Sequence, residues 1–306
     1  MQDSFQKKAQ SEVENITKKI ENKGFSTTSP IKKLYNYEVI VNSKSEQLKI
    51  LVYFGKKGVK TVIQGNAETN LFREVNEILF GKNLFDYKSI DDLELSEYIG
   101  TDESGKGDFF GPLVIASVYI DEKTGDKLEK VGVKDSKLFS DNNIKILELS
   151  IKKIVGDNFS IIQINPEKYN QLYESFANLN KIMGWAHSKA IENLVTQIGC
   201  KNVISDKFGN EKLIKDELAK KNVQVNLFQT PKGERFTGVA AASILARAKV
   251  IDWFTMRSNE NGFEIPKGAG DKVNQVADKI LQINNKEYLL KMIKFHFKNS
   301  QNIFQK

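Results

Sequence analysis

The residues with the clearest chemical potential lie in one short stretch, Gly100-Thr101-Asp102-Glu103-Ser104-Gly105-Lys106-Gly107-Asp108-Phe109-Phe110-Gly111-Pro112. Two adjacent acids precede a lysine held between two glycines. Gly100 to Lys106 satisfies the phosphate-loop spacing G-x-x-x-x-G-K, yet three features argue against a nucleoside triphosphatase. Position 107 is glycine, so the hydroxyl that would ligate magnesium is missing; Asp102 and Glu103 would turn negative charge on the phosphates; and Gly111-Pro112 with an apolar run follows where a helix N-terminus is needed. The acids are the better candidates. Carboxylates are hard donors suited to Mg2+ or Mn2+, which need few protein ligands because phosphate and water complete the shell. Neighbouring side chains of an extended segment point to opposite faces, so Asp102 is expected to point into the site and Glu103 to reach it through a local twist or the following turn. Two acids decorating a turn would be the bland alternative. Gly105 and Gly107 weigh against it, because both are expected to take φ > 0 and to bring backbone close to a sugar-phosphate chain.

The elements that must hold this stretch follow from periodicity. Tyr98 to Asp102 leads into the glycine-rich turn, and Leu113–Ile120 is an apolar strand with helices after it. Short strands are expected at Ser160–Ile164, Asn202–Ser205 and Gln224–Leu227, with helices around 167–177, 181–198, 210–220 and 236–257 and two more over 271–299. Strands alternating with helices predict an α/β layered domain. The front of the chain differs. Phe5, Ala9, Val13, Ile16 and Ile20 form one helical stripe, followed after Gly24 to Pro30 by β-like runs at Tyr35–Val41, Leu48–Phe54 and Val59–Gln64 and by a helix over Glu68 to Phe80. This predicts an α-β-β-β-α unit with one sheet face free. The organisation expected is therefore a first domain over 1–85, a linker over 86–97 and a catalytic domain over 98–306.

Charge is unevenly spread. Of the 46 basic and 39 acidic residues behind the net charge of +7, residues 1–90 hold 15 Lys+Arg against 10 Asp+Glu, and residues 31–60 hold seven lysines against two glutamates. Such a patch suits a nucleic-acid backbone, although a solvated surface would account for it equally. Cys200 is the only cysteine, which excludes an internal disulfide or thiolate cluster and suggests a small buried hydrophobe. The longest apolar run, around Pro112 to Ile120, is far short of the ~20 residues that span a bilayer, and residues 1–22 lack a signal-peptide core. A cytoplasmic location away from membranes is the expectation.

Several stretches, in order, resemble one family. Gly100 to Leu113 is similar to the opening signature of ribonuclease HIII, a bacterial member of the type-2 ribonuclease H group. Val133-Lys134-Asp135-Ser136-Lys137-Leu138 resembles its Asp-Ser-Lys segment; Asn178-Leu179-Asn180 with Trp185 and His187, its central helix; Val239 to Arg247, its small-residue helix; and Ile265 to Gly270, a further element. The Pro266-Lys267-Gly268-Ala269 segment stands where the sister type, ribonuclease HII, has a Tyr-rich region. Phe109-Phe110 is more apolar than the Tyr-Phe of the family pattern, which bears on groove contacts there. The front unit is similar, by pattern and placement, to the TATA-box-binding-protein-like extension of the family.

The resemblance implies an α/β ribonuclease H-like catalytic domain behind a small N-terminal α+β (TATA-box-binding-protein-like) domain that binds substrate. It implies an endonuclease that hydrolyses the RNA strand of RNA–DNA hybrids with two Mg2+ or Mn2+ ions, leaving 5′-phosphate and 3′-hydroxyl ends. The metal ligands carried over are Asp102, Glu103, Asp206 and Glu234. Asp206 directly follows an apolar run, and strand ends are where α/β sheets present ligand-binding groups; alone, Asp206 would be a cap and Glu234 a first-turn dipole partner. Ser104, Gly105, Lys106 and Gly107 are implied to meet the sugar edge where the 2′-OH distinguishes RNA from DNA. Ser136 and Lys137 resemble phosphate-positioning groups. Lys32, Lys33, Lys56 and Lys57 are candidate contacts of the basic front domain, and the chain is expected to work as a monomer. His187, beside Trp185 and Ala186, reads as a packed or hydrogen-bonded histidine before a catalytic one. A hybrid-binding module without catalysis would keep the basic front but leave the converging acids unexplained.

Overall fold

The computed structural model of the chain describes residues 2–43, 46–55, 58–66, 69–80 and 95–304. Two compact units divide it, residues 1–92 and 93–306. Their junction falls among residues outside the described ones, as does most of the expected linker.

In the first unit, helix α1 (Gln2–Glu21) and α2 (Asn70–Phe80) accompany a sheet of β1 (Ser26–Thr27), β2 (Ile31–Lys32), β3 (Asn36–Asn42), β4 (Gln47–Gly55) and β5 (Gly58–Gln64). Strands β3, β4 and β5 form the expected antiparallel meander. The two additional strands are two residues each and, among the described residues, pair with β3 alone; runs that short carry no period, so tertiary pairing reveals them. Alternation puts Tyr37, Val39 and Val41 of β3 and Leu48, Ile50, Val52 and Phe54 of β4 in one core with Ala9, Val13, Ile16 and Ile20 of α1. Lys32, Lys33 and Lys60 are exposed, while exposed Lys49 pairs with Glu38 at 3.3 Å. Lys44, Lys56 and Lys57 lie outside the described residues.

The second unit is built on a five-stranded sheet in the order β10-β9-β6-β7-β8. These are β6 (Glu97–Ser104), β7 (Leu113–Asp121), β8 (Phe159–Ile164), β9 (Asn202–Asp206) and β10 (Asn226–Thr230). Strands β6, β7 and β8 are antiparallel neighbours, whereas β9 runs parallel to both β6 and β10. Between them come α3 (Glu122–Lys130), a 3-10 turn at Ser136–Leu138, α4 (Asp141–Val155), α5 (Pro166–Phe176), α6 (Leu179–Ile198) and α7 (Lys212–Ala219). A second 3-10 turn, Gly233–Arg235, leads into α8 (Thr237–Asn261), and α9 (Asp271–Ile283), α10 (Lys286–Leu290) and α11 (Lys298–Phe304) close the chain.

Leu113 to Val118 of β7 are all buried, which is why this strand reads as a continuous apolar run. Ile182, Met183 and Ala186 of α6 pack with Leu113 and Ile115 of β7, while Gly238 of α8 approaches Gly100 of β6 closely. Helix α6 starts at Asn178, whose side chain accepts from the Asn180 and Lys181 amides, and stops at left-handed Gly199. The expected strand at Gln224–Leu227 is displaced toward the C-terminus: the parallel register runs from Asn226 opposite Asn202 to Thr230 opposite Asp206, while Val223 and Val225 serve the adjoining core. The tail holds three helices where two were expected, because Asn285 caps a separate short α10 by accepting from the Tyr288 amide. Cys200 is buried. Among the described residues no helix is long and apolar enough to cross a membrane.

Candidate active site

Strand register brings two of the candidate acids together. Thr101 of β6 pairs with Ser205 of β9, so the next residue of each strand, Asp102 and Asp206, stand side by side. Strand β6 continues to Ser104 without a break, and its alternation separates Asp102 from Glu103. Asp102 meets Ser243 of α8, whereas Glu103 Oε2 lies 3.3 Å from His187 Nε2 on α6. Burial first, and then the neighbouring charges of Glu103 and Asp206, push Asp102 well above the usual carboxylate range, against hydrogen bonds from Ser243 and the Glu103 amide. Burial pushes Glu103 the same way, but there the His187 hydrogen bond and the charges of His187 and Lys106 prevail and hold it below its ordinary value. Lys106 Nζ is 3.6 Å from Glu103 Oε1.

His187 is fully buried, stacked on Phe208 with ring centroids 4.8 Å apart. Its Nδ1 lies 3.0 Å from the Thr101 hydroxyl, which donates to the Ala116 carbonyl and accepts from Ser117. The packed, hydrogen-bonded histidine expected from sequence is thus also the residue that orients Glu103. Asp206 Oδ1 accepts the Gly233 amide at 2.9 Å. Any Cβ at position 233 would stand 2.9 Å from Asp206 Cα, so glycine lets this turn press against β9 and places Glu234 beside the strand end. Glu234 is half-buried.

Around these acids the other candidates separate. Gly105 takes φ +84, and a Cβ there would meet the Pro112 carbonyl oxygen at 2.1 Å. Gly107 does not share that conformation, and nothing lies within 4 Å of its would-be Cβ; the left-handed step is made at Gly105, which leaves Gly107 exposed with open space before it. Ser104 ends β6 and is half-buried. Ser136 is buried with its hydroxyl 2.9 Å from that of Ser243, so it is tied through Ser243 to Asp102 and does not project toward solvent. Arg247 of α8 holds this segment by donating to the Ser136 and Phe139 carbonyls and to Asp141. Lys137 is exposed. Phe109 and Phe110 are both fully buried, so their apolar character serves packing. Lys32 and Lys33 belong to the first unit.

Among the described residues no group of three His, Cys, Asp or Glu side chains is gathered closely enough to hold a metal ion. Asp102 is turned onto Ser243 and the Glu103 amide, Glu103 onto His187 and Lys106, and Asp206 onto Gly233. The chemistry of the donor set still fits a hard divalent cation: oxygen donors, with one carboxyl held up by burial and by the negative charge of its neighbours, which a cation would relieve.

Comparison with known proteins decides the family. The Ribonuclease HII family profile matches residues 99–300. Ribonuclease HIII of Protochlamydia amoebophila is 39% identical over 297 residues, 96% of this chain and 94% of that one. Ribonuclease HIII of Chlamydia felis is 36% identical over 290 residues, 93% and 92% of the two chains. The chain belongs to the ribonuclease HIII family. Solved structures agree with that membership: Bst-RNase HIII in complex with Mn2+ has a TM-score of 0.65 at 25% identity, covering 97% of this chain and 96% of that one. Aquifex aeolicus RNase H3 has a TM-score of 0.57 at 29% identity, covering 94% and 97%. The ribonuclease H-like fold expected from sequence is therefore the observed one. As a ribonuclease HIII relative the chain is a metal-dependent endoribonuclease, and the family cleaves RNA in RNA–DNA hybrids.

Proposed function

We propose that the chain, acting as a monomer, hydrolyses the RNA strand of RNA–DNA hybrids by a two-metal-ion mechanism in which Asp102, Glu103, Asp206 and Glu234 hold two Mg2+ or Mn2+ ions. The observation that carries this reading is the juxtaposition of Asp102 and Asp206 on parallel β6 and β9, with Asp102 raised by its burial and then by the charges around it. Mn2+ in the related Bst-RNase HIII supports it. Divalent ions at these carboxylates would neutralise their mutual repulsion and the negative charge that grows on the phosphate during attack by water.

The chain's own groups have separate tasks. Asp102 and Asp206 are fixed by strand register, Glu103 is aimed by His187, and Glu234 is carried on the turn that Gly233 presses against Asp206. Water oxygen adds to phosphorus as the bond to the 3′ oxygen breaks; the leaving oxygen takes a proton, giving 5′-phosphate and 3′-hydroxyl ends. Ser104, Gly105, Lys106 and Gly107 meet the sugar edge of the RNA strand, where exposed Gly107 leaves room for a 2′-OH. Exposed Lys137 positions phosphate, and Ser136, held by Ser243, fixes the backbone that carries it. In the domain over 1–85, Lys32 and Lys33, with Lys56 and Lys57 beyond the described residues, contribute backbone contacts; residues 98–306 are the catalytic domain and 86–97 the linker.

A cleavage gel tests the reading. Hybrid, DNA duplex and RNA duplex of one sequence are incubated with Mn2+, Mg2+ or chelator, and product ends are mapped by phosphatase and ligase sensitivity. Hybrid alone should be cut, only with metal, with 5′-phosphate ends. Metal-independent cutting, or full activity of Asp102→Asn, would refute the assignment.

A further inference from the structure

Lys294, between α10 and α11, is fully buried. Its Nζ donates to the Asp108 carbonyl at 2.7 Å and reaches the Phe110 carbonyl at 3.3 Å. Its own amide donates to the Phe109 carbonyl at 2.8 Å, and the Gly111 amide donates to the Met292 carbonyl at 2.9 Å. Phe110 and Ile293 form an antiparallel bridge. From the other side, the Phe109 amide donates to Gly268 O at 2.8 Å and the Gly268 amide to Asp108 Oδ1 at 2.6 Å. Every residue from Asp108 to Gly111 is therefore held by Gly268 or by the strap Met292–Lys294. An ammonium stripped of water is a costly way to fill space, and burial lowers this one to about 7. A methionine would pack the same volume at lower cost, so what the lysine adds is its donors to two loop carbonyls.

These carbonyls sit just after the Gly105–Gly107 turn. The Asp108 amide donates to the Gly105 carbonyl at 3.3 Å, so a shift at Asp108 is passed to the turn. We infer that Lys294 is a positioning residue for recognition of the RNA strand, fixing the Asp108 and Phe110 carbonyls so that the Ser104–Gly107 turn meets the sugar edge at a set height above Asp102 and Glu103. The inference rests on the reading that this turn contacts RNA. Lys294 touches neither the acids nor solvent; it acts through the loop.

The test uses full-length Lys294→Met, Asn170→Ala and Lys106→Ala. Asn170 of α5 ties down the same strap from outside, donating to Ile293 O at 3.0 Å and accepting the Phe295 amide at 2.9 Å. For each variant the KM and kcat on hybrid are measured beside the Ki of an uncleaved DNA duplex of the same sequence, together with the melting temperature. Lys294→Met should raise KM about tenfold with kcat and the DNA-duplex Ki within about threefold of wild type, so that the Ki to KM ratio collapses. A lysine that merely stabilises the fold would lower the melting temperature and leave that ratio unchanged well below melting, which would overturn the inference. If Lys294→Met does not fold, Asn170→Ala decides in its place: a ratio reduced about threefold is expected, and a wild-type ratio overturns the inference. Lys106→Ala separates the two levels. An altered ratio there with wild-type ratios in the strap variants removes the role of Lys294 and leaves the turn's role standing, whereas an unaltered ratio in Lys106→Ala removes both.

Discussion

Gly233→Ala probes how tightly the turn carrying Glu234 is coupled to Asp206. The added Cβ would lie 2.9 Å from Asp206 Cα, 3.0 Å from its amide nitrogen and 3.2 Å from its Cβ, where carbon atoms rest at about 3.5–4.0 Å. All three neighbours belong to β9 or its first side-chain atom, so no flexible end can swing aside. Turn and strand must separate by roughly half an ångström to an ångström, at about 1–3 kcal/mol for overpacking. In a unit of this size that lowers the melting temperature by about 2–12 °C. The same movement stretches the 2.9 Å bond from the Gly233 amide to Asp206 Oδ1, and displacement of a reacting group on this scale reduces turnover by up to ~100-fold. Steady-state cleavage of hybrid beside thermal melting reads both effects. Gly107→Ala is the control for packing, since nothing lies near its Cβ, and it should melt with wild type. Wild-type turnover in a Gly233→Ala protein that melts lower would refute the coupling; wild-type values of both would refute the packing argument itself.

Three further outcomes are expected. Asp102→Asn should abolish cleavage yet melt above wild type in metal-free buffer at neutral pH. A carboxyl whose folded proton affinity is raised loses stability as pH climbs from the ordinary aspartate value through the folded one, a penalty asparagine escapes; melting curves should therefore converge below the ordinary value, 3.8, and Mn2+ should stabilise wild type more than the variant. Glu234→Gln should cripple turnover with Mg2+ and recover part of it in excess Mn2+, which binds a weakened oxygen site more tightly; equal rates in both metals at wild-type level would remove Glu234 from the ligand set. Replacing Lys32, Lys33 and Lys60 together by Gln should flatten the dependence of log affinity on log salt by about 0.9 for each phosphate that the lysines no longer neutralise, and an unchanged slope in a salt titration would return them to plain surface.

The acids are legible because Asp102 and Glu103 fall within one contiguous motif, and strand alternation alone separates them onto the α8 and α6 sides. Their partners are not. His187 lies 84 positions from Glu103 and Ser243 more than a hundred from Ser136, so those hydrogen bonds exist only in the folded sheet and helices. Ser136 resembles a phosphate-positioning group in sequence, but its hydroxyl is buried against that of Ser243, which reads in the helix merely as one more small residue. Spacing gives Gly107 the same backbone freedom as Gly105, yet only Gly105 uses it, since spacing cannot say which glycine of a pair makes the left-handed step. Strand β10 starts later than its sequence suggests because Val223 and Val225 look β-like, while its position is set by register against β9. Lys294 gives no sign at all: a lysine in a polar tail reads as solvated.

The pairing of β6 with β9 carries a consequence for the order in which activity arises during synthesis. Ile99 meets Val203, so the neighbouring carboxylates come from segments about a hundred residues apart, and parallel strands need a long crossover between them. At ribosomal speeds of about 5–20 residues per second, Asp102 emerges roughly 5–20 s before Asp206, and Glu234 later still. During that interval β6 can pair only with β7, which follows it directly in the chain, so Asp102 lacks the carboxylate that β9 sets beside it, and contacts of such high sequence separation form slowly. The strap that holds the recognition loop is made later again, from residues near 292–294. A nascent chain that has not yet exposed residues 206–234 therefore carries the β6 signature motif without the acids proposed to complete its site.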